Sequence, residues 1–267
     1  MIPLRIFIGY DPREAVAYHV LAHSIIRRAS RPVSITPLAL DHLRGIYTRE
    51  RDPRQSTDFT YTRFLVPHLS GYEGVSIYMD CDMLCRTDLW ELHDTIWWKA
   101  SDLREVGLDT PATWVVQHDY VPRGLRYVSP SCHVCQSGRE EAHACLPDAR
   151  LVGTKMDGLV QTAYPRKNWS SLMVFNNARC RVLTPEYVAR ASGMDLHRFA
   201  WLRDEEIGAL PLTWNWLVGE YAPNPDARLL HYTLGGPWFE DTRDCDHAEE
   251  WLAERDHMLC ESFARIG

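Results

Sequence analysis

"VSIYMDCDMLC", residues 75–85, carries an apolar run into Asp80, passes one cysteine and presents a second carboxylate at Asp82. Two acids one residue apart at the end of a buried strand are costly to desolvate unless something cationic meets them. Upstream, "LRIFIGY" (4–10) reads as a buried strand and "DPRE" as a turn, with Pro12 suited to a helix start. "EAVAYHVLAHSIIRRA" (14–29) reads as a helix, with Val16, Val20, Leu21, Ile25 and Ile26 near helical spacing and Arg27 and Arg28 at the favoured C-terminal end. "VSITPLAL" (33–40) is a second strand, and "TDFTYTRFLVPHL" (57–69) reads as a helix capped by Thr57 or Asp58. The alternation predicts an α/β domain with a largely parallel sheet. Ligands of such sheets bind beyond the carboxyl ends of strands, so "GYD" and "DCD" are expected at one site.

Downstream, "ATWVVQHD" (112–119), "SSLMVFNN" (170–177) and "ARLLHYT" (227–233) are further strands. "TPEYVARAS" (184–192) is a helix with Thr184 as cap and Glu186 in its first turn. The tail at 246–266 is a helix whose packing face is Trp251, Leu252, Leu259, Phe263 and Ile266. Residues 121–158 have weak periodicity and are expected to form an irregular insertion or mobile loop within one domain spanning 1–267.

The chain has 267 residues, 45% of them hydrophobic, enough for one large domain. A formal net charge of -7 with no basic stripe argues against a nucleic-acid partner. The N-terminus enters a strand with no signal-peptide pattern, no apolar stretch is long enough for a bilayer, and eight cysteines lack a framework spacing. A cytoplasmic protein with reduced thiols is expected; peripheral membrane association and oligomeric state stay open.

Three readings compete for Asp80 and Asp82: two solvated acids in a turn, a phosphatase nucleophile of haloacid-dehalogenase type, or a clamp for a divalent cation that holds a diphosphate. Hard cations take carboxylate oxygens and commonly bridge them to phosphates. The phosphatase pattern wants Thr or Val where Leu84 stands, and "EDTRDCD" (240–246) is a poor late acidic motif for it.

Six stretches in chain order resemble nucleotide-sugar glycosyltransferases of the GT-A fold, most of all glycosyltransferase family 8 and its bacterial relatives. They are "IFIGYDPREAVAYHVLAHSI", "FTYTRFLVPHL", "YMDCDMLCRTDLWEL", "MVFNNARC", "RDEEIGALPLTWNW" and "HYTLGGPW", covering roughly 4–92 and 164–238. The resemblance implies a Rossmann-like GT-A domain with a mixed, largely parallel central sheet flanked by helices. It implies Mn²⁺ or Mg²⁺ on Asp80, Asp82 and His231, and a donor, UDP-linked, that meets Tyr10, Asp11 and Arg63. It places Asn176, Asp204 and Glu205 beside the donor sugar as catalytic residues, and Gly235 and Trp238 in the loop beside the diphosphate. The activity implied is transfer of a sugar to a carbohydrate or other hydroxyl acceptor with retention at the anomeric carbon. Two positions depart from the family: Gly236 stands where a diphosphate-binding Lys is usual, and Glu205 where a Gln is usual.

Arg166 and Lys167 in "YPRKNWSS" read either as a solvated basic turn or as the source of a cation that replaces that missing Lys, a role expected of Lys167 or Arg63, and Arg13 at a helix start is another anion candidate. Trp169, Trp214, Trp216 and Trp238 lie beside the motifs, where aromatic faces serve either sugar rings or the core. Cys132, Cys135, His143 and Cys145 have ligand types that could hold zinc, or could belong to a thiol-bearing loop that shapes the acceptor site. A non-catalytic binding protein on a degenerate transferase scaffold remains a third functional class.

Overall fold

In a computed structural model, residues 2–52, 55–96, 109–120, 122, 126–128, 150–155, 159–161 and 166–264 are described. The central sheet has six strands in the order β10-β5-β9-β3-β1-β2. Its members are β1 (Leu4–Tyr10), β2 (Val33–Ala39), β3 (Val75–Met79), β5 (Thr113–Val116), β9 (Leu172–Asn176) and β10 (Ile207–Leu210). Pairing is parallel from β3 through β1 to β2 and between β10 and β5, while β9 runs antiparallel to both neighbours. The inner strands are buried along nearly their whole length, Ile77, Tyr78, Met79, Leu172, Met173, Val174 and Phe175 having no exposed surface. That is why they read as continuous apolar runs with no alternation.

A second sheet, β11-β12-β4, joins β4 (Met83–Cys85), β11 (Trp216–Leu217) and β12 (Leu229–His231). β12 is antiparallel to β4 with His231 opposite Met83. A second apolar cluster forms around this sheet from Val20, Leu84, Leu230, Tyr232 and Trp251. Helix α1 (Ala15–Arg28) presents Val20, Leu21 and Ile25 inward and leaves Val16 and Ile26 exposed, so the apolar stripe is narrower than the sequence reading. The C-terminal helix, Ala248–Ala264, docks Trp251 in the core, and its buried Glu254 accepts from Arg28 at 2.9 Å and meets His23 at 2.7 Å. Leu259, expected on that packing face, is instead 47% exposed.

The helix expected over 57–69 is broken. Thr62–Leu65 is a 3₁₀ turn and Val66–Leu69 a single α turn. Thr57 bonds Thr60 through main chain and hydroxyl in place of capping a helix, and Pro67 offers no amide for continuous α bonding. Within 121–158, expected to be irregular, β6 (Arg126–Val128) and β7 (Arg150–Lys155) are strands of an antiparallel ladder with β8 (Leu159–Gln161). The proposed Cys132/Cys135/His143/Cys145 zinc cluster lies outside the described residues.

Gly9, near the end of β1, is held small by its neighbours: a Cβ there would fall 2.5 Å from the Phe59 ring and 2.9 Å from Tyr78 Oη. Gly9→Ala is expected to destabilise the fold by about 1–3 kcal/mol through overpacking. Denaturant titration checks this, and an unchanged midpoint would show that Phe59 and Tyr78 yield freely.

Candidate functional site

β3 ends at Met79, the chain crosses Asp80–Asp82 and β4 begins at Met83. This crossing lies on the carboxyl edge of the parallel strands, together with Tyr10 and Asp11 after β1 and His118 after β5. One candidate ligand atom from each of Asp80, Asp82 and His231 lies within 4.8 Å of the others. All three residues are buried, at 9%, 7% and 2% exposure. His231 Nε2 is 3.4 Å from Asp82 Oδ1. The β12–β4 pairing makes this contact, because Tyr232 N–H donates to the Asp82 carbonyl at 2.8 Å and fixes the register beside it.

Asn215 sets the imidazole. Its Oδ1 lies 2.9 Å from His231 Nδ1 and its Nδ2 donates to Ser171 Oγ at 2.9 Å. With Nδ1–H bonded to an amide oxygen, Nε2 presents a lone pair toward Asp82, the arrangement usual for a metal-bound histidine. Two carboxylates and an imidazole nitrogen are a donor set that fits Mn²⁺ or Mg²⁺. Cys81 between the acids is fully buried in the main core and outside the three-ligand cluster, and burial pushes its thiol well above the usual range.

Asp80 also has protein partners. Tyr78 Oη–H donates to it at 2.6 Å, and Arg63 Nη1 lies 3.0 Å from Oδ1 while donating to the Ser170 carbonyl at 3.0 Å. Burial nonetheless raises the Asp80 carboxyl above its ordinary value, against the pull of Arg63, and Asp82 adds to the rise. One guanidinium therefore does not balance the acids gathered here. Glu14, 4% exposed, adds another, and its Oε2 has no hydrogen-bond partner among the described residues. Burial first, then Asp82 and Asp11, push the Glu14 carboxyl up to about 8. The sequence reading missed Glu14; its signal was a Glu at the sheet's ligand-binding edge, two residues after a helix-starting Pro.

The remaining expected site residues divide by strand direction. Tyr10 sits at the end of β1, stacked edge-on to Tyr18 with centroids 5.3 Å apart. Asp11 is on the site edge but occupied. It accepts from Arg13 N and Nε, both at 3.0 Å, from Arg13 Nη2 at 2.7 Å and from Asp58 N at 3.1 Å. Burial works to raise its carboxyl, and those bonds outweigh it and leave the group below its ordinary value. Arg13 is correspondingly engaged.

Asn176 is not brought to the cluster. It pairs with Val75, the first residue of β3, while Met79 pairs with Leu172. Four residues at about 3.4 Å each put it about 13 Å along the sheet from the Asp80 edge. Asp204 and Glu205 precede β10 on that same far edge, where Ala112 links the Glu206 carbonyl to the Asn176 amide. Asp204 is paired to Arg166 and Glu205 to Arg203, both carboxylates largely exposed. The antiparallel β9 instead delivers its entry, Asn168–Ser171, to the site: the Ser171 carbonyl accepts from Asp80 N at 2.9 Å. Lys167 lies in the turn just before this entry, half-buried. Gly235 follows the β12 end at φ +111°. Trp238 is half-buried and packs on the second apolar cluster, its ring 5.8 Å from Tyr232 and 5.1 Å from Trp251. Trp214 is buried at 3% exposure.

His118, also missed from the sequence, closes the site on the β5 side at 6% exposure. Its carbonyl accepts from Trp169 Nε1 at 3.0 Å and its Nδ1 lies 2.9 Å from Tyr221 Oη. Burial, with a smaller effect of His231, lowers its imidazole to about 3, so it is neutral at physiological pH.

The sheet order with one reversed strand, and the acid pair at its carboxyl edge, define a GT-A fold, the fold of nucleotide-sugar glycosyltransferases. The chain resembles the WbbM bifunctional glycosyltransferase, with a TM-score of 0.56 and 16% identity over 95% of this chain. It also resembles the apo glycosyltransferase GlyE of Streptococcus pneumoniae TIGR4, with a TM-score of 0.51 and 15% identity over 99% of this chain. It spans 49% of the WbbM chain and 64% of the GlyE chain. No protein-family model matches the chain. By sequence it is 43% identical over 261 residues to Protein CDI of Arabidopsis thaliana, covering 94% of this chain and 86% of that protein, and it belongs to that protein's family.

Glu14 yields a pH prediction for the protein in EDTA. The folded state keeps a proton up to about pH 8 that an ordinary Glu gives up near 4.5. The folded form thus binds more protons in that window, so its stability is full below 4.5 and falls as pH rises to about 8. Glu14→Gln is expected to flatten that fall, measured by denaturant midpoints from pH 5 to 8. An unaltered slope in the variant would assign the pH dependence to other groups.

Proposed function

We propose that this protein is a metal-dependent glycosyltransferase that moves a sugar from a nucleotide-diphosphate donor to a hydroxyl acceptor. The observation that carries the reading is the buried Asp80–Asp82–His231 cluster at the carboxyl edge of a GT-A sheet. A UDP-linked donor and retention at the anomeric carbon are what the family 8 resemblance implies for the reaction.

Asp80, Asp82 and His231 would hold Mn²⁺ or Mg²⁺, and the mixed oxygen and nitrogen set tilts the choice toward Mn²⁺. Such an ion supplies Lewis-acid neutralisation of the diphosphate leaving group. Arg63 fixes Asp80 and contributes positive charge to the same edge, and Lys167 stands nearest in sequence to the β9 entry that faces the donor. Asn215 keeps His231 in the tautomer with a free Nε2. The bond from the anomeric carbon to the diphosphate oxygen breaks as the acceptor oxygen bonds to that carbon, and the acceptor's hydroxyl proton passes to the departing diphosphate.

The phosphatase alternative finds little support: Tyr78 and Arg63 already bind the Asp80 carboxylate that would have to attack phosphorus. Binding without turnover keeps one observation in its favour. Gly236, where a diphosphate-binding Lys was expected, has the Trp238 ring against it, and a Cβ would fall 2.0 Å from Trp238 Cζ3. No side chain fits there without moving the indole.

Asp82→Asn is expected to abolish Mn²⁺-dependent hydrolysis of the donor, tested over a panel of nucleotide sugars, and His231→Ala to retain a measurable fraction. Loss of a ligand's charge weakens cation binding more than loss of a neutral ligand does. Full hydrolysis in EDTA, or equal loss in the two variants, overturns the assignment. Lys167→Ala and Arg63→Ala should each weaken nucleotide-diphosphate binding by calorimetry; parental affinity in both would remove them from the phosphate clamp.

A further inference from the structure

Beside the acid cluster lies a second feature that donor chemistry does not use. His118 is more than nine-tenths buried, and among the described residues its Nε2 has no hydrogen-bond partner, although its Nδ1 meets Tyr221 Oη. Buried polar nitrogens are rarely left unmet in native proteins. Around it stand three half-buried aromatic rings. Tyr221 is 5.9 Å from the imidazole centroid, Tyr120 is 6.0 Å from it, and Trp216 is 5.2 Å from Tyr221. Asn168, in the left-handed region at φ +60°, ties this group to the ligand loop: its Nδ2 donates to Tyr120 Oη at 2.5 Å and to Thr233 Oγ1 at 3.3 Å, two residues past His231.

Resting on the glycosyltransferase reading above, we propose that His118 is an acceptor-binding residue: its Nε2 bonds a hydroxyl of a polyol ring whose C–H groups pack among Tyr120, Tyr221 and Trp216. Three lines converge on this. The rings form a half-buried aromatic lining, with Tyr120 and Trp216 inclined at 63° and 58° to Tyr221, against which sugar C–H groups pack, and hydroxyl groups stand at its border. The imidazole is neutral, so its two nitrogens offer one donor and one acceptor, and with Nδ1 on Tyr221 a single directional bond is left for a ligand hydroxyl. The feature also sits across the β9 entry from Asp80, since Trp169 bonds the His118 carbonyl and Ser171 bonds the Asp80 amide. An acceptor held there would face a donor held at the acid cluster. The Tyr221 bond makes the imidazole rigid, which fixes the direction of the free nitrogen.

The test separates transfer from donor breakdown. The parent, His118→Phe, His118→Gln and Tyr221→Phe would each be assayed with Mn²⁺ and the donor that the parent hydrolyses. Methyl glycopyranosides of glucose, galactose and mannose would serve as acceptor probes. His118→Phe is expected to keep donor hydrolysis within about threefold while transfer falls by ~100-fold, a pattern that marks an interaction made with the acceptor alone. His118→Gln, which can still bond a hydroxyl, should recover part of the transfer, and Tyr221→Phe should raise the acceptor KM more than it lowers kcat. Equal loss of hydrolysis and transfer in both His118 variants would make the residue structural and overturn the proposal. Undiminished transfer in His118→Phe would overturn it as well. A parent that hydrolyses donor but shows no saturable transfer to any glycoside rules out a polyol ring as the occupant. A parent with no metal-dependent donor hydrolysis fails the glycosyltransferase reading itself, a separate result.

Discussion

Like-charge repulsion at the end of β3 is the constraint on which the rest of this site depends. Asp80 and Asp82 are buried within reach of one another, with Glu14 close enough to be perturbed by both. Taking such groups out of water is unfavourable by several kcal/mol each unless opposite charge and hydrogen bonds meet them. The fold answers with Arg63 and Tyr78 on Asp80, while on Asp82 the Nε2 lone pair of His231, steered by Asn215, adds a third ligand atom and no balancing charge. Among the described residues, Arg63 is the guanidinium on a buried pair of aspartates, and a divalent cation is the natural means of meeting the remaining negative charge. Burial first, and the neighbouring acids second, account for the raised carboxyls of Asp80 and Glu14 without any appeal to function.

Two sheets share the work of holding these groups. The large sheet supplies Asp80 and, through β9, the Ser170 and Ser171 carbonyls that fix Arg63 and the Asp80 amide. The small sheet supplies Asp82 and His231 across one antiparallel pair. Helix α1 and the C-terminal helix brace this arrangement from outside through Glu254, Arg28 and His23. Asn215 bonds both His231 and Ser171, and with Asn168, which bonds Thr233, it couples the two halves.

The loop after β12 shows how packing can override an expected binding group. A Lys at position 236 would carry its Cβ into the Trp238 indole, which is itself packed on Tyr232 and Trp251. The choice of Gly there is thus linked to the docking of the C-terminal helix.

Much of this was legible in the sequence, because it depends on local pattern. The strands at 4–10, 33–39 and 75–79, helix α1 and the Thr184 cap of Pro185–Arg190 follow from apolar runs, charge placement and capping chemistry. The Asp80–Asp82–His231 set followed from ordered motifs, and the structure brings those three together. What the sequence lacked was strand direction. A run such as "SSLMVFNN" announces a buried strand but carries no mark of which end faces the ligand edge, because burial does not depend on polarity. Asn176 was therefore placed at the site when the antiparallel pairing of β9 puts Asn168–Ser171 there instead. Asp204 and Glu205 fell on the far edge for the matching reason, preceding a parallel strand rather than following one. Glu14, His118 and Asn215 were invisible for a second reason: their importance comes from burial beside groups distant in the chain. Local sequence sets which segments are strands and helices; only the paired and packed sheet decides which of their ends, and which polar side chains, meet at one point.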